Sequence, residues 1–144
     1  MDVHGVDRVI IATPNIDETA GQFSDLLGLE FGDLMEPTTE TASGEQPVAN
    51  LLSPSGVELV TPRSEDGQVA RFLEHNGPGL YAVSIRVGDL AAAVSELEAK
   101  GVEPVGRYES AAFAEVFYHP EQFGGAFVIL AEYDAPHPAE TAST

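Results

Sequence analysis

The chain contains no cysteine and no tryptophan among its 144 residues. The absence of cysteine excludes disulfides, thiolate nucleophiles and thiolate metal sites together. Histidine, aspartate, glutamate and glutamine are then the side chains left for holding a metal ion. Any metal site in this chain must therefore be built from nitrogen and oxygen ligands.

Basic residues are also scarce, since six lysines and arginines stand against 24 acids and give a net charge of −18. Lys100 is the only lysine. A phosphate backbone is bound by a positive surface that releases counterions, so nucleic acid is excluded as a partner. Such an acidic surface suits a high-salt cytoplasm, and it equally suits an ordinary protein whose charge keeps it soluble.

Long apolar runs are missing as well. No stretch approaches the roughly 18 consecutive apolar residues of a membrane span, and the opening MDVHGVDRV has neither the basic nor the apolar region of a signal peptide. We therefore expect no membrane association and a cytoplasmic location. The length and the hydrophobic content of 43% predict one domain over residues 1–135, followed by a disordered tail at 136–144.

The chain contains an internal repeat of one structural unit. The segments VDRVIIATPNIDETAGQFSDLLGLEF and LYAVSIRVGDLAAAVSELEAKGVEPV each have the pattern of a strand, a turn, an amphipathic helix, a glycine stop and a second strand. Asn15 and Asp89 are the predicted N-caps of the two helices. Gly28 and Gly101 are the predicted C-terminal stops.

Each unit continues into two further strand signals. They lie at 46–54 and 56–62 in the first unit and at 111–118 and 125–133 in the second. The polar stretch over residues 36–46 predicts a loop.

These patterns together predict an α+β fold made of two βαβββ modules that form a cupped mixed sheet. The modules cover residues 5–63 and 79–133. Between them, GQVARFLEHNG has helical spacing of its apolar residues and predicts a linking helix over 67–76.

The paired βαβββ units resemble the vicinal oxygen chelate (VOC) superfamily, which includes glyoxalase I, extradiol dioxygenases and bleomycin-resistance proteins. The segments ARFLEHNGPGLYAVSIRV and YHPEQFGGAFVILAEY resemble the methylmalonyl-CoA epimerase branch of that superfamily most. The resemblance covers residues 5–133. It implies a cup in which four inward side chains, two from each module, bind a divalent metal.

The four metal-binding positions that this resemblance implies fall on Arg8, Glu58, Ala82 and Ile129. Only Glu58 is a residue type that binds metal. A catalytic divalent ion needs about three protein ligands and an open position. We therefore predict that the usual metal site is lost and that the protein has no metal cofactor.

Arg8 and Glu58 are the predicted catalytic residues. The resemblance implies a small-molecule ligand, and we expect a small anionic carbonyl or acyl compound that is handled by an isomerase-, epimerase- or lyase-like enzyme. Arg8 would replace the metal as the electrophilic element, and Glu58 would move a proton. Three alternatives stay open: an internal salt bridge that fills a dead site, a non-catalytic binding protein that resembles the bleomycin-resistance proteins, and a metal-dependent epimerase with different ligands.

Four further residues are predicted to bind the ligand, namely Ser84, Arg86, Phe113 and Phe127. Ser84 and Arg86 share a strand face with Ala82, whereas Tyr81 is expected on the opposite face because strand neighbours alternate. His119 is predicted to lie in a turn before the last strand. A homodimer is a further expectation, because exposed sheet edges favour pairing.

Overall fold

The computed structural model describes residues 1–111 and 113–134, and within them the order of one strand, one helix and three strands occurs twice. This order confirms the predicted α+β fold. The first module comprises β1 (Val3–Ala12), α1 (Ile16–Leu27), β2 (Thr38–Thr41), β3 (Gly44–Leu52) and β4 (Val57–Pro62). The second comprises β5 (Gly79–Val87), α3 (Leu90–Ala99), β6 (Gly106–Glu109), β7 (Phe113–Tyr118) and β8 (Phe127–Tyr133). Helix α2 (Gln68–Asn76) links the modules, and a short 3₁₀ turn (Pro120–Gln122) precedes β8.

The eight strands form one mixed sheet that closes on itself in the order β1-β4-β3-β2-β6-β7-β8-β5. The pairs β1–β4 and β5–β8 are parallel, and the remaining pairs are antiparallel. The modules meet along the whole length of β1 and β5. On the far side only Glu40↔Arg107 and Thr41↔Gly106 join β2 to β6. The inner face of the sheet therefore surrounds a cup.

The ends of the two long helices follow the sequence signals. Asn15 Oδ1 accepts a hydrogen bond from the Glu18 backbone N–H at 3.2 Å, and Asn15 Nδ2 donates to the Glu18 carboxylate at 3.1 Å, so Asn15 is the N-cap of α1. Gly28 ends α1 at φ 71°, in the left-handed region where a residue without Cβ is favoured. Asp89 caps α3 by accepting from the Ala92 N–H at 3.0 Å. Each such cap stabilises its helix by about 1 kcal/mol.

The short strands after α1 and α3 lie later in the chain than predicted. Neither LEF after Gly28 nor VEPV after Gly101 forms a strand. Phe31 instead packs edge-on against Phe23 of α1, with 6.4 Å between ring centroids. Packing against the helix thus buries the apolar residues that suggested a strand.

Strand β2 lies inside residues 36–46, which the sequence predicts to be a polar loop. It pairs with β3 through a two-residue connection, Ala42 and Ser43. Its four residues alternate between exposed and half-buried positions, and all are threonine or glutamate. A strand with no apolar face lacks the alternation that identifies strands in sequence.

The two faces of the sheet have different packing: helices cover the outer face, and the inner face lines the cup. On the outer face, α1 covers one module and α3 covers the other, each over its own apolar cluster. Inside the cup a third cluster includes Ile10, Val60, Ala82 and Ile129, and Val69 of α2 packs against it. One end of the cup is therefore filled by apolar side chains under α2.

No helix among the described residues is long and apolar enough to span a membrane. The predicted tail at 136–144 lies outside the described residues.

Candidate functional site

The pairing of β1 with β5 relates the two modules by an approximate twofold repeat. Arg8 pairs with Ser84, and Ile10 pairs with Ala82. The residues 74 positions after Arg8 and Ile10 are Ala82 and Ser84, so each module contributes the same two positions to these pairs. Arg8 therefore holds in the first module the place that Ala82 holds in the second.

The parallel strand pairs extend the same relationship to the other two positions. Ile10 pairs with Glu58 in the first module, and Ser84 pairs with Ile129 in the second. Glu58 and Ile129 therefore occupy equivalent places. The four positions named by the sequence comparison are two equivalent pairs around the cup.

Arg8 is the centre of a buried ion-pair cluster. Its Nε donates to Glu58 Oε1 at 2.6 Å, and its Nη1 donates to Asp7 Oδ2 and to Ser84 Oγ, both at 2.9 Å. Its Nη2 donates to Glu115 Oε2. A guanidinium has five N–H donors, so these four contacts leave one.

Burial makes this cluster electrostatically strong. The side chains of Arg8 and Asp7 are each 4% exposed, and those of Glu58 and Glu115 are each 8% exposed. Burial alone would lower the pKa of Arg8, but Glu58 and Glu115 raise it by more, so the guanidinium stays charged. Burial raises the pKa of Glu115 above its ordinary value, although Arg8 opposes that rise.

Glu115 is the site residue that the sequence did not indicate. It lies on β7, where its strand neighbours are alanine and valine, and no motif marks it. Leu52 pairs with Glu58 while Phe117 pairs with Ile129, so the counterpart of Glu115 in the first module is Asn50. Asn50 and Glu115 lie two positions before Leu52 and Phe117, the residues that pair with the implied metal positions Glu58 and Ile129. A polar residue at this spacing is the signal that could have identified Glu115.

Asp7 and Tyr81 are bulge residues, and the same twofold repeat relates them. Between the pairs Val6↔Ile85 and Arg8↔Ser84, β1 contains one extra residue, Asp7. Between the pairs Ile10↔Ala82 and Ile11↔Leu80, β5 contains one extra residue, Tyr81. An extra residue in a strand redirects side chains. The bulges thereby place Asp7 beside Arg8 and turn Tyr81 into the cup.

The expectation that Tyr81 faces away from the cup is therefore wrong. Strict alternation fails here because the bulge interrupts the strand. Tyr81 packs against Phe72 and Phe127, with ring centroids 5.1 and 5.0 Å away. Burial raises the pKa of its hydroxyl, so Tyr81 is a neutral wall residue.

A second layer supports the cluster from behind. The Tyr133 hydroxyl donates to Asp7 Oδ1 at 2.5 Å, and Asp7 in turn binds Arg8. Arg86 donates to the Tyr133 carbonyl at 2.9 Å and lies over the Tyr133 ring, 4.0 Å from its centroid. Burial and the bond to Asp7 raise the pKa of Tyr133 to about 12.

The cluster forms part of the wall of a cavity of about 430 Å³. A volume in this range suits a small organic ligand. Most of the remaining wall is apolar or aromatic. It includes Ile10, Val48, Val60, Phe117 and Ile129.

The predicted ligand-binding residues fall in different places. Phe113 lines the cavity, and the Arg8 guanidinium lies 5.7 Å from its ring centroid. Ser84 is fully buried beneath Arg8 and receives its hydrogen bond. Phe127 packs behind Tyr81. Arg86 is held by Tyr133 away from the cavity wall, so it is not placed to bind a ligand there.

His119 takes the structural place expected from the sequence. It precedes the 3₁₀ turn, and its Nδ1 accepts a hydrogen bond from the Glu121 N–H at 3.1 Å. It is half-exposed and is not among the cavity residues.

The residues at the implied metal positions do not fit a divalent ion. Arginine, alanine and isoleucine occupy three of the four, and the carboxylate of Glu58 is bound to the guanidinium. Among residues 1–111 and 113–134, no three histidine or acidic side chains form a group suited to a metal. The cluster can instead hold and move protons, because it combines buried carboxylates with a fixed cation.

The fold and the cup define a family, and the sequence agrees with it. Residues 7–118 match the model of the Glyoxalase/Bleomycin resistance protein/Dioxygenase superfamily. The chain belongs to this superfamily.

Within the superfamily the chain is similar to acyl-CoA epimerases. It is 31% identical over 130 residues to the ethylmalonyl-CoA/methylmalonyl-CoA epimerase of Cereibacter sphaeroides, a match that covers 87% of this chain and 95% of the relative. It is 28% identical to the mitochondrial methylmalonyl-CoA epimerase of Dictyostelium discoideum, over 88% of this chain and 77% of the relative.

Solved structures of such epimerases share the fold. The methylmalonyl-CoA epimerase of Mycobacterium tuberculosis superposes with a TM-score of 0.73 at 29% identity, over 97% of this chain and 93% of that one. A Streptomyces coelicolor methylmalonyl-CoA epimerase in complex with 2-nitronate-propionyl-CoA also gives 0.73, at 20% identity, over 93% of this chain and all of that one.

Proposed function

We propose that this protein is a metal-independent enzyme that moves a proton at the carbon next to the carbonyl of a small acyl compound, with a thioester as the leading candidate. The observation that supports it best is the cluster on the cavity wall. There one guanidinium binds Glu58 from the first module and Glu115 from the second. The similarity to acyl-CoA epimerases supports the choice of an acyl substrate.

Proton removal is assigned to Glu58. Its carboxylate takes the proton from the carbon, and the electron pair of the broken C–H bond moves onto the carbonyl oxygen as an enolate. The remaining N–H of Arg8 is the donor available to that oxygen. Arg8 thus acts as the electrophilic element, the role that the superfamily resemblance implies for a divalent metal ion.

Proton return is assigned to Glu115. Its raised pKa favours the protonated acid, which donates to the same carbon as the enolate collapses. Because β4 and β7 belong to different modules, the two carboxyl groups approach the cavity from different strands. Removal of the proton from one face of the enolate and its return to the opposite face would invert the carbon, after which the proton on Glu58 must pass back to Glu115.

The acyl group proposed here differs in charge from the anionic ligand that the sequence predicts. An anionic group beside Arg8 was expected, but three carboxylates already occupy the guanidinium. Any negative charge on the substrate, such as the phosphates of a coenzyme A thioester, would therefore lie outside the cavity.

The test uses NMR to measure how fast the protons on the carbon next to the carbonyl of propionyl-CoA exchange with deuterium in deuterated buffer. Wild-type protein should catalyse the exchange, and Glu58→Gln should reduce it by about 100-fold or more, as expected for a lost general base. Glu98→Gln, which changes an exposed acid on α3, is the matched control. Exchange that survives Glu58→Gln at the wild-type rate would contradict the role of Glu58.

A binding protein without turnover is the second candidate. It is favoured by the three ion pairs of Arg8, since these would also hold the cavity wall in place without any chemistry. Tight binding of acyl compounds with no exchange in wild-type protein would favour it. The homodimer and the cytoplasmic location stay predictions.

A further inference from the structure

The buried cluster whose Arg8, Glu58 and Glu115 line the cavity carries an excess of negative charge. Asp7, Glu58 and Glu115 share one guanidinium, and all four side chains are at most 8% exposed. The formal charge of the cluster is −2 with all three carboxylates ionised, and −1 with Glu115 protonated. Water screens such buried charges poorly, so each acts strongly on a ligand beside it.

Within the described part of the chain, the cavity wall itself has no second cation to offset this excess. Arg8 is the single basic residue among the described residues that line the cavity. Arg86, which the sequence suggested as a second cation, is held against Tyr133. Arg63 binds Glu36 at the rim at 3.5 Å, where both side chains are largely exposed.

The rest of the wall suits an uncharged group. Aliphatic and aromatic side chains from four strands face the space next to the cluster, including Ile10, Val60, Phe117 and Ile129. Such a surface gains free energy when it covers an alkyl chain and loses it when it strips water from a charge.

We propose that the acyl group admitted beside Arg8 carries no negative charge, so that the substrate class is a simple acyl compound rather than a carboxylated, malonyl-type one. This inference rests on the proposed function only for the placement of the acyl group beside Arg8. It does not depend on the proposed proton transfers. Glu58, whose carboxylate lines the cavity, is the specificity-determining residue. The chain therefore differs in substrate from relatives named for ethylmalonyl-CoA and methylmalonyl-CoA.

The test compares two thioesters that differ by one carboxylate, propionyl-CoA and methylmalonyl-CoA, by calorimetric titration of the full-length protein. Propionyl-CoA should bind at least about tenfold more tightly, because the second carboxylate meets buried like charges. In Glu58→Gln the preference should fall by about threefold or more, since one negative charge on the cavity wall is removed. Equal affinities in wild-type protein, or tighter binding of methylmalonyl-CoA, would overturn the proposal.

A pair without coenzyme A separates this proposal from the proposed function. If neither thioester binds, the acyl-CoA assignment fails, and 4-phenylbutanol against 4-phenylbutyrate then measures the charge preference of the cavity alone. The alcohol should bind at least about tenfold more tightly than the carboxylate. Tighter binding of the carboxylate, or no binding of either, contradicts the proposal. Both wild-type comparisons hold even if Glu58→Gln does not fold.

Discussion

Arg8 and Glu115 are 107 positions apart in the chain, yet the guanidinium of one donates directly to the buried carboxylate of the other. Arg8 lies on β1 of the first module and Glu115 lies on β7 of the second. Their contact crosses the cup at the level where the superfamily resemblance implies a divalent ion. A protein cation therefore binds acidic groups from both modules.

The raised pKa of Glu115 predicts a specific dependence of stability on pH. The folded protein binds this proton more tightly than the unfolded chain, whose glutamate has the ordinary pKa of 4.5. Glu115 therefore stabilises the fold fully below that value, and its contribution is lost as the pH rises through the folded pKa. Between the two pKa values the loss is at most about 1.4 kcal/mol per pH unit.

Chemical denaturation of wild-type protein and Glu115→Gln at several pH values measures this contribution. The free energy of unfolding of the wild type, minus that of the variant, should decrease as the pH rises above 4.5. A difference that increases with pH would show that the pKa of Glu115 is lowered, and Glu115 would then not be the acid.

The Tyr133 hydroxyl should stabilise the protein through Asp7. Tyr133→Phe removes a hydrogen bond to a buried carboxylate that itself holds Arg8, and should lower the free energy of unfolding by about 1.5–3 kcal/mol. Tyr118→Phe is the matched control, because the buried Tyr118 hydroxyl has no hydrogen-bond partner among the described residues. Removing it should be nearly neutral or stabilising. Equal losses in the two variants would show that the bond to Asp7 adds nothing.

Restoring the implied ligand set should restore metal binding. The combined change Arg8→His, Ala82→His and Ile129→Glu leaves Glu58 in place and puts four nitrogen or oxygen ligands at the two equivalent pairs of positions. After loading with cobalt and desalting, this variant should retain about one ion per chain, whereas Arg8→His alone should retain none.

Wild-type protein treated with cobalt, nickel, manganese or zinc should retain almost no metal. One ion per wild-type chain would mean that residues other than the four considered form a metal site. The metal-dependent alternative would then become the leading account of function.

The fold followed from local patterns that act within one module. Asn15 with Glu18, Gly28 and Asp89 marked helix ends because capping is a short-range interaction. Strand β2 was not predicted because its four residues have no apolar face. Its position is set by pairing with β3 and β6.

The site was predictable only as far as the superfamily resemblance reached. It located Arg8 and Glu58, which do contact each other. It gave no sign of Glu115, which reaches Arg8 only when the two modules close around the cup. The alternation of strand neighbours misplaced Tyr81, because a bulge depends on strand register that a single sequence does not reveal.

The most direct test of the account is the rate of α-proton exchange in propionyl-CoA by wild-type protein, measured after exhaustive treatment with a chelator and again after adding cobalt. The account predicts exchange in the chelated protein at a rate that added metal leaves unchanged, because Arg8, Glu58 and Glu115 supply the chemistry. Exchange that appears only with metal would contradict the account, since the guanidinium would then not take the place of the ion.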